Sequence, residues 1–175
     1  MKKLKAILLG FTLCMVAPLA AEDFDWSQFW CNYGAGIEKG DILLSADASF
    51  DFGLFGSAYF GLPYIVADLE FALPVWKLPF TFGGYVAASL RFGNDYFAVP
   101  ILFGGSATYH VRMPPKNLDL YTGLKLGARI AIGDSSLNNF DFGYNIGASW
   151  FFTDNFGVNL ELGYPYNKTG VVFKF

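Results

Sequence analysis

Apolar and polar residues alternate along most of this chain, most clearly at its C-terminal end. Between residues 156 and 164 every second position is apolar, and the positions between hold glycine, asparagine or glutamate. The final segment repeats this spacing with Val171, Phe173 and Phe175 on one face. A period of two is typical of a β-strand with one apolar face. The region 150–175 is therefore predicted to be a β-hairpin.

Six earlier segments show the same alternation, approximately at residues 42–52, 64–71, 80–92, 99–112, 118–132 and 142–152. With the final hairpin they predict eight strands. An apolar strand at the end of the chain would leave an aggregation-prone edge, and pairing of the last strand with the first would remove that edge. The predicted fold is all-β: an eight-stranded antiparallel up-and-down transmembrane barrel over residues 41–175.

The charged residues are sorted between the two faces of these predicted strands. The apolar rows contain no Asp, Glu, Lys or Arg, and the opposite rows hold Asp47, Asp51, Asp68, Glu70, Arg91, Arg112, Asp119, Lys125, Arg129, Asp141, Glu161 and Lys174. A basic residue that faces lipid near the bilayer midplane costs roughly 2–4 kcal/mol, and a lumen-facing one avoids this cost. The sorting favours a membrane barrel over the alternative, a secreted soluble barrel or sandwich.

The first 21 residues are predicted to be a signal peptide. Three lysines precede an apolar run at 6–16, and Leu19-Ala20-Ala21 forms a small-residue end suitable for cleavage. A lipoprotein site at Cys14 and an uncleaved anchor are the weaker alternatives. Loss of three of the 12 basic residues and none of the 15 acidic ones moves the net charge from −3 to about −6. Nucleic acid is therefore a poor partner. Cys31 then has no intrachain disulfide partner.

Residues 22–40 are predicted to form an aromatic-rich N-terminal arm. Trp26, Phe29, Trp30 and Tyr33 have the spacing of one helical face, which would suit a short helix at a membrane interface. The alternative is an irregular arm that contributes to an aromatic girdle. Gly34, Gly36 and Gly40 would end a helix.

An even number of strands places both ends of a barrel on one side, and the signal peptide makes that side the periplasm. The turns at 74–79, 114–117 and 153–155 would then face the periplasm. The loops at 53–62, 93–95, 133–139 and 165–168 would face outward, and all of them are short.

The turn Phe152-Thr153-Asp154-Asn155-Phe156-Gly157, the alternation through Glu161 and the terminal Phe175 resemble the small eight-stranded outer-membrane barrels of the OmpA, OmpX and OmpW type. Members of that group anchor, adhere, admit small apolar solutes or act on lipid. The resemblance implies the outer membrane of a diderm bacterium, outer-membrane lipids as partners, and recognition by the barrel-assembly machinery through Val171, Phe173 and Phe175.

The inward-facing charges are expected to pair with each other across the lumen. A barrel of eight strands has an interior just wide enough for its own side chains, so these groups would fill it and leave no open channel. The residues predicted to form this polar network are Asp47, Asp68, Glu70, Arg91, Lys125, Arg129 and Glu161.

The sequence offers little catalytic or metal-binding chemistry. His110 is the only histidine, and a hydrolase would need it beside a hydroxyl and a carboxylate. It is expected to be a structural lumen residue. We predict no catalytic, cofactor or metal site.

Three functions remain open at this level. The first is a structural or surface role in the envelope. The second is an OmpW-like channel for small hydrophobic molecules, or a small-solute porin, which solutes would enter at Leu54, Phe55, Tyr59 and Phe60. The third and most remote is an enzyme that modifies outer-membrane lipid.

Overall fold

A computed structural model describes residues 30–50, 60–93 and 95–175 of the chain. Ten strands and one short 3-10 turn at Ser135–Leu137 make up the regular structure of this part. The strands are β1 Ile42–Ser49, β2 Phe60–Gly61, β3 Ile65–Val75, β4 Leu78–Ala88, β5 Arg91–Gly93, β6 Tyr96–Arg112, β7 Leu118–Ile132, β8 Asn139–Phe151, β9 Phe156–Tyr164 and β10 Lys168–Lys174. The predicted leader 1–21 and loop residues 51–59 lie outside the described residues.

Eight of these strands close into an antiparallel barrel. Their order is β6-β4-β3-β1-β10-β9-β8-β7, and β7 pairs with β6 to complete the ring. The first and last strands are neighbours, with Leu44 opposite Phe173 in their register. The predicted all-β, eight-stranded antiparallel architecture is therefore confirmed. No helix among the described residues has the length and apolar character needed to cross a membrane.

The two shortest strands extend one side of the barrel. β2 pairs with β5, and β5 pairs with the beginning of β6. The third predicted strand was expected to run to Phe92, but it is interrupted at Ser89 and Leu90. The Ser89 hydroxyl donates to the Leu62 carbonyl at 2.6 Å, and the Leu62 N–H donates to the Leu90 carbonyl at 2.9 Å. These bonds to the segment before β3 take the place of a continuous strand.

The barrel has two different ends. We call the end at which β1 begins and β10 ends the terminal end, and the opposite end the loop end. At the terminal end, β3 and β4 are joined by Trp76 and Lys77, whose φ angles of 51° and 70° are those of a tight hairpin turn. Pro74 and Pro79 flank this turn and lie opposite each other, as the sequence predicts.

Neighbouring positions along each strand face opposite environments. In β7, Leu124 and Leu126 are 54% and 52% exposed, whereas Lys125 between them is 2% exposed and points into the barrel. The same inversion holds around the ring. The buried charged residues are Asp47, Asp68, His110, Asp119, Lys125, Asp141, Glu161 and Lys168.

The described part of the N-terminal arm, residues 30–40, is irregular and does not extend β1. The predicted interfacial helix therefore does not include Trp30 to Tyr33, and its first half lies outside the described residues. The arm instead folds into the terminal end of the barrel, where Ala35 and Ile37 are buried.

Candidate functional site

The middle of the lumen is filled by a cluster of five buried charged side chains. We call this set the central ion cluster: Asp47, Asp68, Lys125, Glu161 and Lys168. The ammonium group of Lys168 lies 2.8 Å from the Asp47 carboxylate and also pairs with Asp68. It is 3.9 Å from Glu161. Lys168 thus links carboxylates from three different strands.

Lys125 completes the cluster from the other side of the barrel. Its ammonium group donates to Glu161 at 2.5 Å and lies 3.7 Å from Asp68. It also lies over the rings of Tyr166 and Tyr85, 5.0 Å and 5.5 Å from their centroids. A cation over an aromatic face is attracted by the ring quadrupole, so the tyrosines add to the stabilisation of Lys125.

Strand registration explains why these five groups meet. Lys168 in β10 lies directly opposite Glu161 in β9, and Ser45 in β1 lies opposite Asp68 in β3. The Ser45 hydroxyl donates to Asp47 at 2.7 Å. Buried charges are tolerated only when they are paired and hydrogen-bonded, and this cluster supplies both conditions.

A second layer lies between the central ion cluster and the terminal end. His110 is buried there, with Nδ1 2.8 Å from Asp119 and Nε2 3.0 Å from the Thr81 hydroxyl. The Thr81 hydroxyl itself donates to Glu70. Because a hydroxyl carries one proton, Thr81 can donate to Glu70 or to Nε2 but not to both. Nδ1 faces the Asp119 carboxylate.

The Thr81-His110-Asp119 distances are similar to those of a nucleophile, base and acid triad, but the Thr81 hydroxyl also contacts a second carboxylate. A nucleophilic hydroxyl must give its proton to the imidazole. Here the Thr81 hydroxyl donates to Glu70. All three side chains are also buried. The Thr81 hydroxyl is therefore not accessible to solvent in this structure.

Aromatic side chains fill the lumen on the loop side of the central ion cluster. Tyr64, Tyr85 and Tyr166 pack with Val66, Ala87 and Leu102 into one buried cluster. Beyond it, Arg129 lies 3.2 Å from Asp141, which also accepts a hydrogen bond from Tyr164 at 2.9 Å. Ions, tyrosines and aliphatic side chains together occupy the barrel interior.

The structure brings together some of the predicted network residues and separates others. Asp47, Asp68, Lys125 and Glu161 lie in the central ion cluster, whereas Glu70 lies in the layer below. Arg129 pairs with Asp141 near the loop end. Arg91 lies apart from the cluster, in β5, where it donates to the Tyr64 hydroxyl at 3.4 Å.

The prediction that Lys168 belongs to an outward loop is wrong. Lys168 begins β10 and is the hub of the central ion cluster. The signal was present in the last strand, because the inward row that contains Lys174 continues backwards through residues 172, 170 and 168. Asp119, Asp141 and His110 were placed on the inward face but not in the predicted network.

The structure describes only one of the four residues of the predicted entrance for apolar solutes. Leu54, Phe55 and Tyr59 lie outside the described residues, and the backbone of Phe60 belongs to β2. This route stays a prediction. Among the described residues, no group of three or more His, Cys, Asp or Glu side chains is arranged to hold a metal ion.

The solved structures to which this chain is similar include the following three. A de novo designed transmembrane β-barrel is 14% identical, with 79% of this chain and 98% of that chain covered and a TM-score of 0.46. The N-terminal β-barrel domain of Pseudomonas aeruginosa OprF is 14% identical, with coverages of 78% and 98% and a TM-score of 0.49. Neisserial surface protein A is 18% identical, with coverages of 77% and 95% and a TM-score of 0.48.

No family model and no curated protein matches the chain. The fold is therefore assigned from the strand pairing itself. The function is inferred from the chemistry of the outer and inner faces of the barrel.

Proposed function

We propose that this chain is an integral outer-membrane β-barrel with a closed lumen and a structural or surface role. The observation that carries the proposal is the inversion of the barrel: its outer face is apolar and exposed, and its charges are buried inside. A soluble barrel would have the opposite preference. A bilayer provides the apolar surroundings that such an outer face requires.

The distribution of outward aromatic residues supports the same proposal. Near the terminal end they include Trp76, Phe80, Tyr109, Trp150, Phe152 and Phe175, and near the loop end Phe92, Phe97, Phe140, Tyr144 and Tyr164. Aliphatic residues such as Leu69, Val86, Leu124, Leu126 and Leu160 lie between them, together with Phe82 and Phe103, the latter directly opposite Val86. Aromatic residues near both interfaces are typical of barrels that span a membrane. Outer-membrane lipids are the proposed partners.

The filled lumen supports a closed barrel. The central ion cluster and the tyrosine cluster occupy successive layers along the axis, and both are held by specific contacts. A solute that moved along the axis would have to separate Lys168 and Lys125 from their carboxylates. Such buried pairs are costly to break, so we place a conducting pore second.

The last strand offers a route to assembly. β10 closes the barrel against β1, and Val171, Phe173 and Phe175 lie on its outer row; Phe175 is 69% exposed. We propose this row as the surface that the barrel-assembly machinery recognises, with the terminal end toward the periplasm. That orientation places the Trp76 turn in the periplasmic leaflet.

Conductance of the refolded chain without residues 1–21 tests the proposal. The chain is refolded into lipid vesicles, and closure of the barrel is checked first by heat-dependent gel mobility. We expect insertion, followed by electrical silence in a planar bilayer. Discrete conductance steps from the closed barrel would refute the closed lumen. A chain that folds in water and ignores the vesicles would refute the membrane assignment.

A further inference from the structure

The N-terminal arm closes the barrel at its terminal end. The Tyr33 hydroxyl donates to the Phe80 carbonyl at 2.9 Å. Ala35 packs against Phe151 and Val172, and Ile37 packs against Leu43 and Ala72. Gly34 passes so close to the side chain of Asp119 that a Cβ atom at this position would overlap it. The arm therefore touches several strands and covers the lumen.

A small chamber of about 40 Å³ lies next to the arm: its lining includes Leu43, Phe151 and Val172, against which the arm packs. Among its lining residues are Asp119 and Asn159, each more than nine-tenths buried. One side-chain oxygen of each has no donor among the described residues. Ser149, His110 and Tyr121 also line the chamber. Buried acceptors of this kind need hydrogen-bond donors, and a water molecule needs only about 10–15 Å³ of such space. The chamber therefore fits about three waters.

We propose that residues 33–37 form a displaceable lid over this hydrated chamber, and that small polar molecules reach the chamber from the terminal end when the lid opens. The chamber is closed on the opposite side by the central ion cluster. Access is therefore one-sided, and the lid controls it. This inference goes beyond the proposed envelope role, because a closed lumen does not require a lid that opens.

The way in which the lid is fastened makes it displaceable. Its fastenings to the barrel include the Tyr33 bond and a bond from the Lys174 ammonium to the Gly36 carbonyl at 2.9 Å. Burial and the nearby charge of Asp41 raise the pKa of the Tyr33 phenol, which keeps its donor proton in place. The backbone at Ala35 has a φ of 39°, a left-handed conformation that is costly for a residue with a Cβ. A few hydrogen bonds and the packing of Ala35 and Ile37 hold the lid against this strain, whereas continuous ladders hold the strands.

Thiol labelling in lipid vesicles tests the lid. The chain without residues 1–21 carries Cys31→Ser to remove the exposed native thiol, and Ser149→Cys as a reporter within the chamber. A small methanethiosulfonate reagent is added, and the labelling rate is followed by mass spectrometry. We expect slow labelling with the native lid, and about fivefold faster labelling with Lys174→Met, the factor that one lost hydrogen bond contributes to an opening equilibrium.

A second lid variant and a second reporter make the test decisive. Gly34→Val forces a side chain against Asp119 and should accelerate labelling more than Lys174→Met does. Ser49→Cys is the matched control reporter, because Ser49 is also buried but lies on the loop side of the central ion cluster. Its labelling should not respond to either lid variant. Heat-dependent gel mobility confirms that each barrel is closed.

Three outcomes would overturn the proposal. Fast labelling of the Ser149→Cys reporter under the native lid would show that the arm does not cover the chamber. Equal rates with native lid, Lys174→Met and Gly34→Val would show that the arm does not open. Equal acceleration of both reporters would show that the variants loosen the whole barrel.

Discussion

The two rows of side chains on the same strands lie in opposite environments: the outer row is apolar and exposed, and the inner row is polar and buried. In β7, Leu124 and Leu126 are more than half exposed on the outside, and Lys125 between them is buried in a network of charges. The pleat alone decides which environment a residue meets. A register slip of one residue would exchange the two rows and place Lys125 outside. The fold is therefore specified by the side chains of both rows together.

The two rows depend on their surroundings in different ways. An inward charge needs particular partners, because its desolvation is offset only by groups at the right distance. An outward apolar residue needs no particular partner and depends only on its depth in the bilayer. Substitutions in the inner row should therefore be sensitive to identity, and substitutions in the outer row should be sensitive to position.

The largest effect is expected at the hub of the inner row. Lys168→Met removes the cation and leaves the carboxylates of Asp47 and Asp68 buried without it. Loss of one partner from a buried ion pair typically costs about 3–5 kcal/mol. We expect a decrease of that size in the free energy of unfolding, measured by urea titration of the barrel in lipid vesicles.

The control for Lys168→Met is Arg91→Met, since Arg91 lies outside the cluster at the loop end. It should change the free energy of unfolding by about 1 kcal/mol or less, because the contact it removes is a 3.4 Å hydrogen bond to the neutral hydroxyl of Tyr64. Adding Asp68→Asn to Lys168→Met should recover part of the loss, because it removes one of the unpaired charges. An equal loss for Lys168→Met and Arg91→Met would contradict the importance of the cluster.

A smaller effect, dependent on depth, is expected in the outer row. Leu126 lies near the middle of β7 on the outside, so Leu126→Arg would place a cation near the bilayer midplane. The expected decrease in the free energy of unfolding in vesicles is about 2–4 kcal/mol. The same urea titration measures it.

Ile132→Arg is the matched control, because Ile132 occupies the same row at the loop end of β7 and is also exposed. Its cost near the interface should be about 0–1 kcal/mol. If the outer face were wetted by solvent, both arginines would be accepted equally. Equal small costs for the two variants would therefore contradict the membrane assignment.

The two rows could be predicted from sequence, but the partners within the inner row could not. A period of two assigns each residue to a face without any knowledge of the neighbouring strands. Which charges meet depends on the stagger of the strands around the ring, and the pairing of Lys168 with Asp47 and Asp68 joins residues more than 95 positions apart. The polar segment before Thr169 looked like a loop, so the first inward residue of β10 was missed.

Hydrogen bonds between segments that are far apart in sequence also could not be predicted from the hydrophobic pattern. The interruption at Ser89 depends on the carbonyl of Leu62, and the position of the arm depends on Phe80 and Lys174. Neither contact changes the spacing of apolar residues. The aromatic spacing from Trp26 to Tyr33 suits a helix, but the described part of the arm, from Trp30 onward, is irregular, and the small residues at 34–36 let it approach the barrel interior.

The contrast between the two rows ends where the strands end. The smallest effect of a substitution is therefore expected in a loop, at the carboxylate of Asp134. This exposed group accepts hydrogen bonds from the Ser136 hydroxyl at 2.6 Å, the Tyr96 hydroxyl at 2.8 Å and the Ser136 backbone N–H at 3.0 Å. These bonds favour the ionised form and hold the pKa of Asp134 below its ordinary value of 3.8, with the Ser136 hydroxyl as the largest cause. Because this pKa is lower in the folded state, the ionised carboxylate stabilises the folded state at pH values above the ordinary pKa, and this contribution is lost as the pH falls through the folded-state pKa.

We expect Ser136→Ala to raise the pKa of Asp134, measured by NMR titration in micelles, and Tyr96→Phe to raise it less. A pKa that stays the same in both variants would show that the lowering has another source. A larger increase for Ser136→Ala than for Tyr96→Phe would show that this carboxylate depends on local hydroxyl donors and not on a buried cation.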